Sequence, residues 1–280
     1  MLNWSIRLFR ISGIQLEVHS TFFLLLVYVA WEGWQDAIAQ HLPGYSGVLV
    51  NCAYLFLFFT CVVMHEFGHA LTARRFGVGV RRILLLPIGG MAEFDSIPRK
   101  PSRELLITLA GPAVNFAIIG VLMIFAPFPT EQIAAYIGSI FGVGADPDVD
   151  LHMGALQQIM AMNLVMGCFN MIPVFPMDGG RVLRALLAMK FPYLKATFVA
   201  ATIAKVLASL GVLLALFWFK PAHIQMAVLF GFILFAGQIE YRALKRREIE
   251  EEQWRQQLAQ FEAISAARRP AIPHLPGSSS

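Results

Sequence analysis

The run Gly47–Ala73 holds a single charged side chain, Glu66, in an otherwise apolar stretch, and that leaves the backbone little choice. It exceeds the roughly 20 residues a bilayer demands. In lipid only a helix satisfies the polar backbone groups of one isolated segment, so Gly47–Ala73 reads as a membrane-spanning helix. Glu66 is then an ionisable group where one is costly, which marks it as functional. His65 and His69 lie one helical turn apart, so both imidazoles face the same way and can reach one metal ion with Glu66 beside them.

The rest of the chain agrees with that setting. Of 280 residues, 57% are hydrophobic and 14% charged, against roughly 25% charged in soluble domains. Apolar runs predict six spans: Ser20–Ala39, Gly47–Ala73, Leu105–Pro127, Met153–Val174, Leu194–Phe219 and Ala222–Glu240. Basic residues gather before the first span and after the second, fourth and sixth, as in Arg7 and Arg10, Arg74 and Arg75, Arg181 and Arg184, and Arg242 and Lys245. The alternate loops hold Glu32, Asp36, Glu131, Asp146, Asp148 and Asp150, with Lys220 the exception. Both termini are therefore expected in the cytoplasm. This topology accounts for the net charge of +4 without a nucleic-acid partner. Glu66 precedes Arg74 by eight residues, about 12 Å of helix at 1.5 Å per residue. The three cysteines, Cys52, Cys61 and Cys168, all lie in apolar stretches, which is no disulfide framework. Cys61, one turn before His65, reads as a packing thiol, with metal ligation as the alternative. Lys205, inside the fifth span, reads as a snorkelling or cavity-lining side chain.

His-Glu-x-x-His on a helix is a zinc-protease signature, and the chain's His and Glu frequencies give it by chance roughly once in a hundred chains of this length. Thr72 and Arg75 stand where a soluble metzincin needs Gly and His, so a third ligand must come from elsewhere. Asp178 is the candidate, within Asn170-Met171-Ile172-Pro173-Val174-Phe175-Pro176-Met177-Asp178-Gly179-Gly180. Its prolines end the fourth span and its glycines allow a sharp turn. Two His, one Asp and one open position make a catalytic zinc site; the competing reading of Asp178 is a helix N-cap ahead of Arg181–Met189. Asn170 either bonds a neighbouring helix or stabilises an oxyanion.

Together these motifs resemble the site-2 protease family of intramembrane zinc metalloproteases. The resemblance also covers Gly111-Pro112-Ala113-Val114-Asn115, Pro87–Phe94 and Ile14–Thr21, and extends over about Leu2 to Gly237. It implies His65, His69 and Asp178 as zinc ligands, Glu66 as general acid/base, Asn170 as an active-site polar group, and membrane-spanning proteins as substrates. Within Arg74–Arg103 there is no room for an inserted PDZ-like domain, and no paired nucleotide-binding module is expected after the last span. Gly111-Pro112 reads as a kink or close helix contact, with Asn115 as a partner of a ligand.

Arg81–Leu86 and Met91–Phe94 flank Gly89-Gly90 like a hairpin, and Ile14, Leu16 and Val18 alternate with polar residues like a strand. A sheet at the membrane surface could hold substrate as an added edge strand; a solvated loop is the alternative. Trp254, Leu258, Phe261 and Ser265 recur at helical spacing within a charged run.

The expected fold class is an all-α polytopic membrane protein with six transmembrane helices and a small membrane-associated β-sheet. Its parts are an N-terminal strand segment (1–19), a six-span metalloprotease core (20–240), a cytoplasmic amphipathic helix (241–269) and a disordered tail (270–280). The expected function is Zn2+-dependent endopeptidase cleavage of membrane-anchored proteins, in the lipid bilayer of a prokaryotic cytoplasmic membrane. A metal-binding transporter and an inactive scaffold of the same fold are the alternatives. A homo-oligomer or a regulatory membrane partner is left open.

Overall fold

A computed structural model describes residues 4–95, 100–141, 153–217 and 224–267. The chain opens with strands β1 (Ser5–Ile11) and β2 (Ile14–His19), then helices α1 (Phe22–Ala39) and α2 (Gly44–Arg75). Strands β3 (Val80–Leu86) and β4 (Gly89–Phe94) follow. The remainder is helical: α3 (Pro101–Leu122), α4 (Thr130–Phe141), α5 (Ala155–Asn170), α6 (Asp178–Ala188), α7 (Tyr193–Phe217) and α8 (Ile224–Ala267). Among the described residues, three helices are long and apolar enough to cross a membrane: α2, α3 and, within α7, Tyr193–Leu214.

Several boundaries differ from the expected spans. The third helix ends at Leu122, and the run through Pro127 is not helical. The fourth is α5, whose 16 residues cover about 24 Å at 1.5 Å per residue, because the chain unwinds after Asn170. The sixth span and the amphipathic helix are one uninterrupted helix, α8, with no proline or glycine after Gly237 to break it before Pro270. Trp254, Leu258 and Phe261 on α8 are exposed. The expected tail lies outside the described residues, as do Asp146, Asp148, Asp150 and Lys220.

The strands form one sheet in the order β1-β2-β3-β4, with β2 and β3 parallel and the outer pairs antiparallel. Ile14, Leu16 and Val18 of β2 and Ile83 and Leu85 of β3 pack on Phe59, Val62 and Ala70 of α2. The hairpin turns on Pro87-Ile88, not on Gly89-Gly90: Leu86 pairs with Gly89, which opens β4 at φ 135°.

The end of α2 places that sheet. Gly77 takes φ 79°, a left-handed conformation cheap only for glycine. The Val78 amide donates to the Ala73 carbonyl at 3.0 Å and the Gly77 amide to the Arg74 carbonyl at 2.9 Å. This Schellman cap satisfies carbonyls left open by the helix end and folds β3 and β4 back along α2, beside Glu66. In a second cluster, Ala200, Ala201, Ala204 and Ala208 of α7 give the small surface on which Val174, Phe175 and Met177 pack.

Candidate metal centre

His65 and His69 are both buried on α2. Their Nε2 atoms are 3.1 Å apart, and Asp178 Oδ2 lies 3.2 Å from the first and 3.1 Å from the second. Tetrahedral zinc, with bonds of about 2.0–2.1 Å, sets its ligand atoms roughly 3.3 Å apart, so the triangle fits one ion. The proton positions point the same way. His65 Nδ1 donates to Asn115 Oδ1 at 2.6 Å, and His69 Nδ1 donates to the Ile107 carbonyl at 2.7 Å. Each neutral ring then has its proton on Nδ1. In that tautomer both Nε2 lone pairs and a carboxylate oxygen converge, a donor set suited to a cation. The three side chains form a group that can hold a metal ion.

Helix α3 lies against α2 and closes the site. A Cβ on Gly111 would stand 2.2 Å from His69 Nε2 and 2.8 Å from His65 Nε2, so only glycine leaves the ligand atoms free. Gly68 does the same for the helix contact, where a Cβ would meet the Ala110 carbonyl at 2.6 Å. The Gly111-Pro112 segment is thus a close contact at the metal site.

Asp178 arrives on the turn after α5. The N-cap of α6 is Met177, and Asp178 is the first helical residue, making no cap bond. Its side chain turns to the histidines, which corrects the N-cap alternative. Gly179 and Gly180 permit this: a Cβ on the first would lie 2.2 Å from the Ile172 carbonyl, and on the second 2.7 Å from the Phe175 amide. Two turns further along α6, Arg184 is buried in an ion pair with Glu104 of α3, its Nε 2.8 Å from Oε1. The guanidinium sits over the rings of Phe175 and Tyr193 at 5.4 and 5.3 Å. Arg184 therefore ties the proline-rich segment and α6 to the helix that supports both histidines.

Glu66 is half-buried. Its Oε2 accepts from the Ala92 amide of β4 at 3.1 Å, and a Cβ on Gly90 would meet its Cγ at 2.6 Å. Asn170 donates to the Met166 carbonyl of its own helix at 3.1 Å, and no hydrogen bond joins it to the three converging side chains among the described residues. Cys61 lies apart from the ligand triangle and receives Asn163 Nδ2 at 3.2 Å. Lys205 Nζ stands 5.6 Å from the centre of the Tyr241 ring.

Sequence reasoning passed over Asn163 and Glu104 and counted Arg184 only among the basic loop residues, whereas it is buried on α6. The available signal was polarity inside or beside an apolar run: an amide or charge at such a position needs a partner.

A model of peptidase family M50 matches residues 53–217. The chain is 39% identical over 245 residues to a zinc metalloprotease of Methanocaldococcus jannaschii, covering 87% of this chain and 62% of that protein. It is 28% identical over 136 residues to stage IV sporulation protein FB of Bacillus subtilis, covering 48% of this chain and 40% of the relative. It thus spans less than two thirds of either relative's length. Among solved structures, the site-2 protease from Methanocaldococcus jannaschii matches with a TM-score of 0.55 and 37% identity, covering 85% of this chain and 95% of that one.

Proposed function

The chain belongs to peptidase family M50, and from that premise we propose that it is an intramembrane zinc endopeptidase acting on membrane-spanning segments of anchored proteins. The observation that carries the reading is the convergence of His65, His69 and Asp178 beside Glu66, on a helix long and apolar enough to cross a membrane.

His65, His69 and Asp178 would hold zinc, which would supply Lewis-acid polarisation of the scissile carbonyl and lower the pKa of water toward neutral. Glu66 takes the proton from the attacking water and returns it to the leaving amine. The Ala92 amide and the glycine-lined wall at Gly90 fix where that carboxylate stands. Asn170 is the proposed donor to the oxyanion; one Nδ2 hydrogen goes to the Met166 carbonyl, and the amide nitrogen carries a second.

Substrate is read as an added strand on β4, which lies at the free edge of the sheet. In an antiparallel pair, residues alternate between facing the partner strand and facing away. Counting from the turn-closing pair Leu86 and Gly89, Gly90 and Ala92 present their amides and carbonyls outward. The Ala92 amide is occupied by Glu66, so an incoming strand meets the Gly90 backbone and the Ala92 carbonyl, next to the general base. Pairing would extend a substrate helix and align one bond with Glu66. Backbone N-methylation along a substrate should reduce cleavage at every second residue. Equal tolerance at all positions would contradict strand addition.

The reading includes six spans with both termini in the cytoplasm of a prokaryotic cell, supported by the charge pattern of the loops. The protein reconstituted in liposomes with a single-span substrate tests the function. Chelation should stop cleavage and added zinc restore it, whereas chelator-insensitive cleavage would contradict the proposal.

A further inference from the structure

Asn163, in the middle of α5, is fully buried, as is Asn115 of α3. Asn163 Nδ2 donates to the Ile159 carbonyl at 2.9 Å and to Cys61 Sγ at 3.2 Å; its Oδ1 accepts from Asn115 Nδ2 at 3.0 Å. One amide therefore joins α2, α3 and α5 at the depth of the metal centre.

We propose that Asn163 is a positioning residue that sets the tautomer of His65 through Asn115, and so keeps the metal-facing nitrogen free. The inference rests on the metal-centre reading above. Its logic is directional. A backbone carbonyl can only accept, so the Ile159 oxygen forces the Nδ2 end of Asn163 toward itself and the Oδ1 end toward Asn115. Asn115 must then offer Nδ2 to Asn163 and Oδ1 to His65. His65 must carry its proton on Nδ1, which leaves Nε2 bare. His69 reaches the same state more simply, by donating straight to the Ile107 carbonyl. Both histidines are thus oriented by a backbone carbonyl, one directly and one through two side-chain amides. A fixed tautomer matters because an Nε2 that carries a proton cannot ligate.

Two replacements separate this role from simple packing. Asn163→Leu keeps the branched shape of the side chain, at a larger volume, but frees Asn115 to turn its NH2 toward His65 and select the wrong tautomer. Asn163→Asp keeps an oxygen facing Asn115 Nδ2, so the direction of the chain survives. Zinc affinity, measured by competition with a chromogenic chelator, should fall about 10- to 100-fold in Asn163→Leu, as when a ligand's outer partner is lost. In Asn163→Asp it should stay within about threefold of wild type on the same scale. Asn163→Leu added to Asn115→Ala should cause no further loss, because the two act in series. Equal loss in the Leu and Asp variants, or additive losses in the double variant, would overturn the proposal and show a structural role. Should Asn163→Leu not fold, side-chain 15N shifts of His65 in the metal-free wild type decide: protonated Nδ1 is expected, and protonated Nε2 would contradict it. A wild-type protein that binds no zinc would instead remove the metal-centre reading itself.

Discussion

At the residue scale, the site depends on where side chains are missing as much as on where they are present. Gly111→Ala would put a methyl group 2.2 Å from His69 Nε2, and the rings, pinned through Nδ1 to Asn115 and Ile107, have nowhere to retreat. Zinc content measured by atomic absorption should drop severely while the helical circular dichroism is kept; normal content would mean the contact can relax. Asp178→Ala leaves two protein ligands and should likewise lose zinc, and full occupancy in the folded variant would remove Asp178 from the site. The convergence of His65, His69 and Asp178 was legible because their spacing and local chemistry are properties of short segments. Asn163 was not, since its role exists only once α5 brings it to Asn115 and Cys61. Asn170 was singled out from its motif, yet its amide donates along its own helix, to the Met166 carbonyl.

At the element scale, α3 and α6 are held together by Glu104 and Arg184, both almost wholly buried. Arg184→Met strands the Glu104 carboxylate, and breaking one side of a buried pair costs about 3–5 kcal/mol. The Glu104→Gln, Arg184→Met double variant should recover much of that, as read from thermal unfolding in detergent; equal destabilisation of both would show the pair itself to be unimportant. Across the sheet, Glu17 accepts from Ser5 of β1 and Arg82 of β3, and Arg82 also donates to Glu93 of β4, each at 2.7 Å. Burial raises the Glu17 carboxyl, and the bonds from Ser5 and Arg82 together outweigh it, so its pKa lies below the ordinary value. A depressed folded pKa stabilises above the unfolded value, and that contribution is lost as pH falls through the folded one. Wild-type β1 amides should therefore exchange more slowly than those of Glu17→Gln at neutral pH, with the difference closing well below the ordinary carboxylate pKa. A difference that grows on acidification would contradict the sign. The expected strand segment 1–19 holds two strands, β1 and β2; alternation was read only in β2, because the register of β1 slips between Arg7 and Phe9. Strands β2, β3 and β4, which alternate or flank an evident turn, were legible. Helix α4 was read as loop because it lies between the third and fourth expected spans and Glu131 at its start was counted among the loop acids.

At the scale of the whole molecule, the arrangement brings α2, α3 and the segment after α5 around one group able to hold a metal ion, with a sheet edge beside Glu66. Long apolar runs declared the membrane setting from sequence alone, while the lengths of α5 and α8 depended on where the backbone unwinds or continues. The central claim is that Glu66 activates water without holding the metal, inside an apolar helix. The most direct measurement compares wild type and Glu66→Gln, each in liposomes with a single-span substrate, by zinc stoichiometry and by the mass of the product. Both proteins should hold equal zinc, only the wild type should cut, and the cut should fall inside the substrate's apolar segment. Loss of zinc in Glu66→Gln, cleavage at the wild-type rate by that variant, or a cut outside the apolar segment would contradict the account.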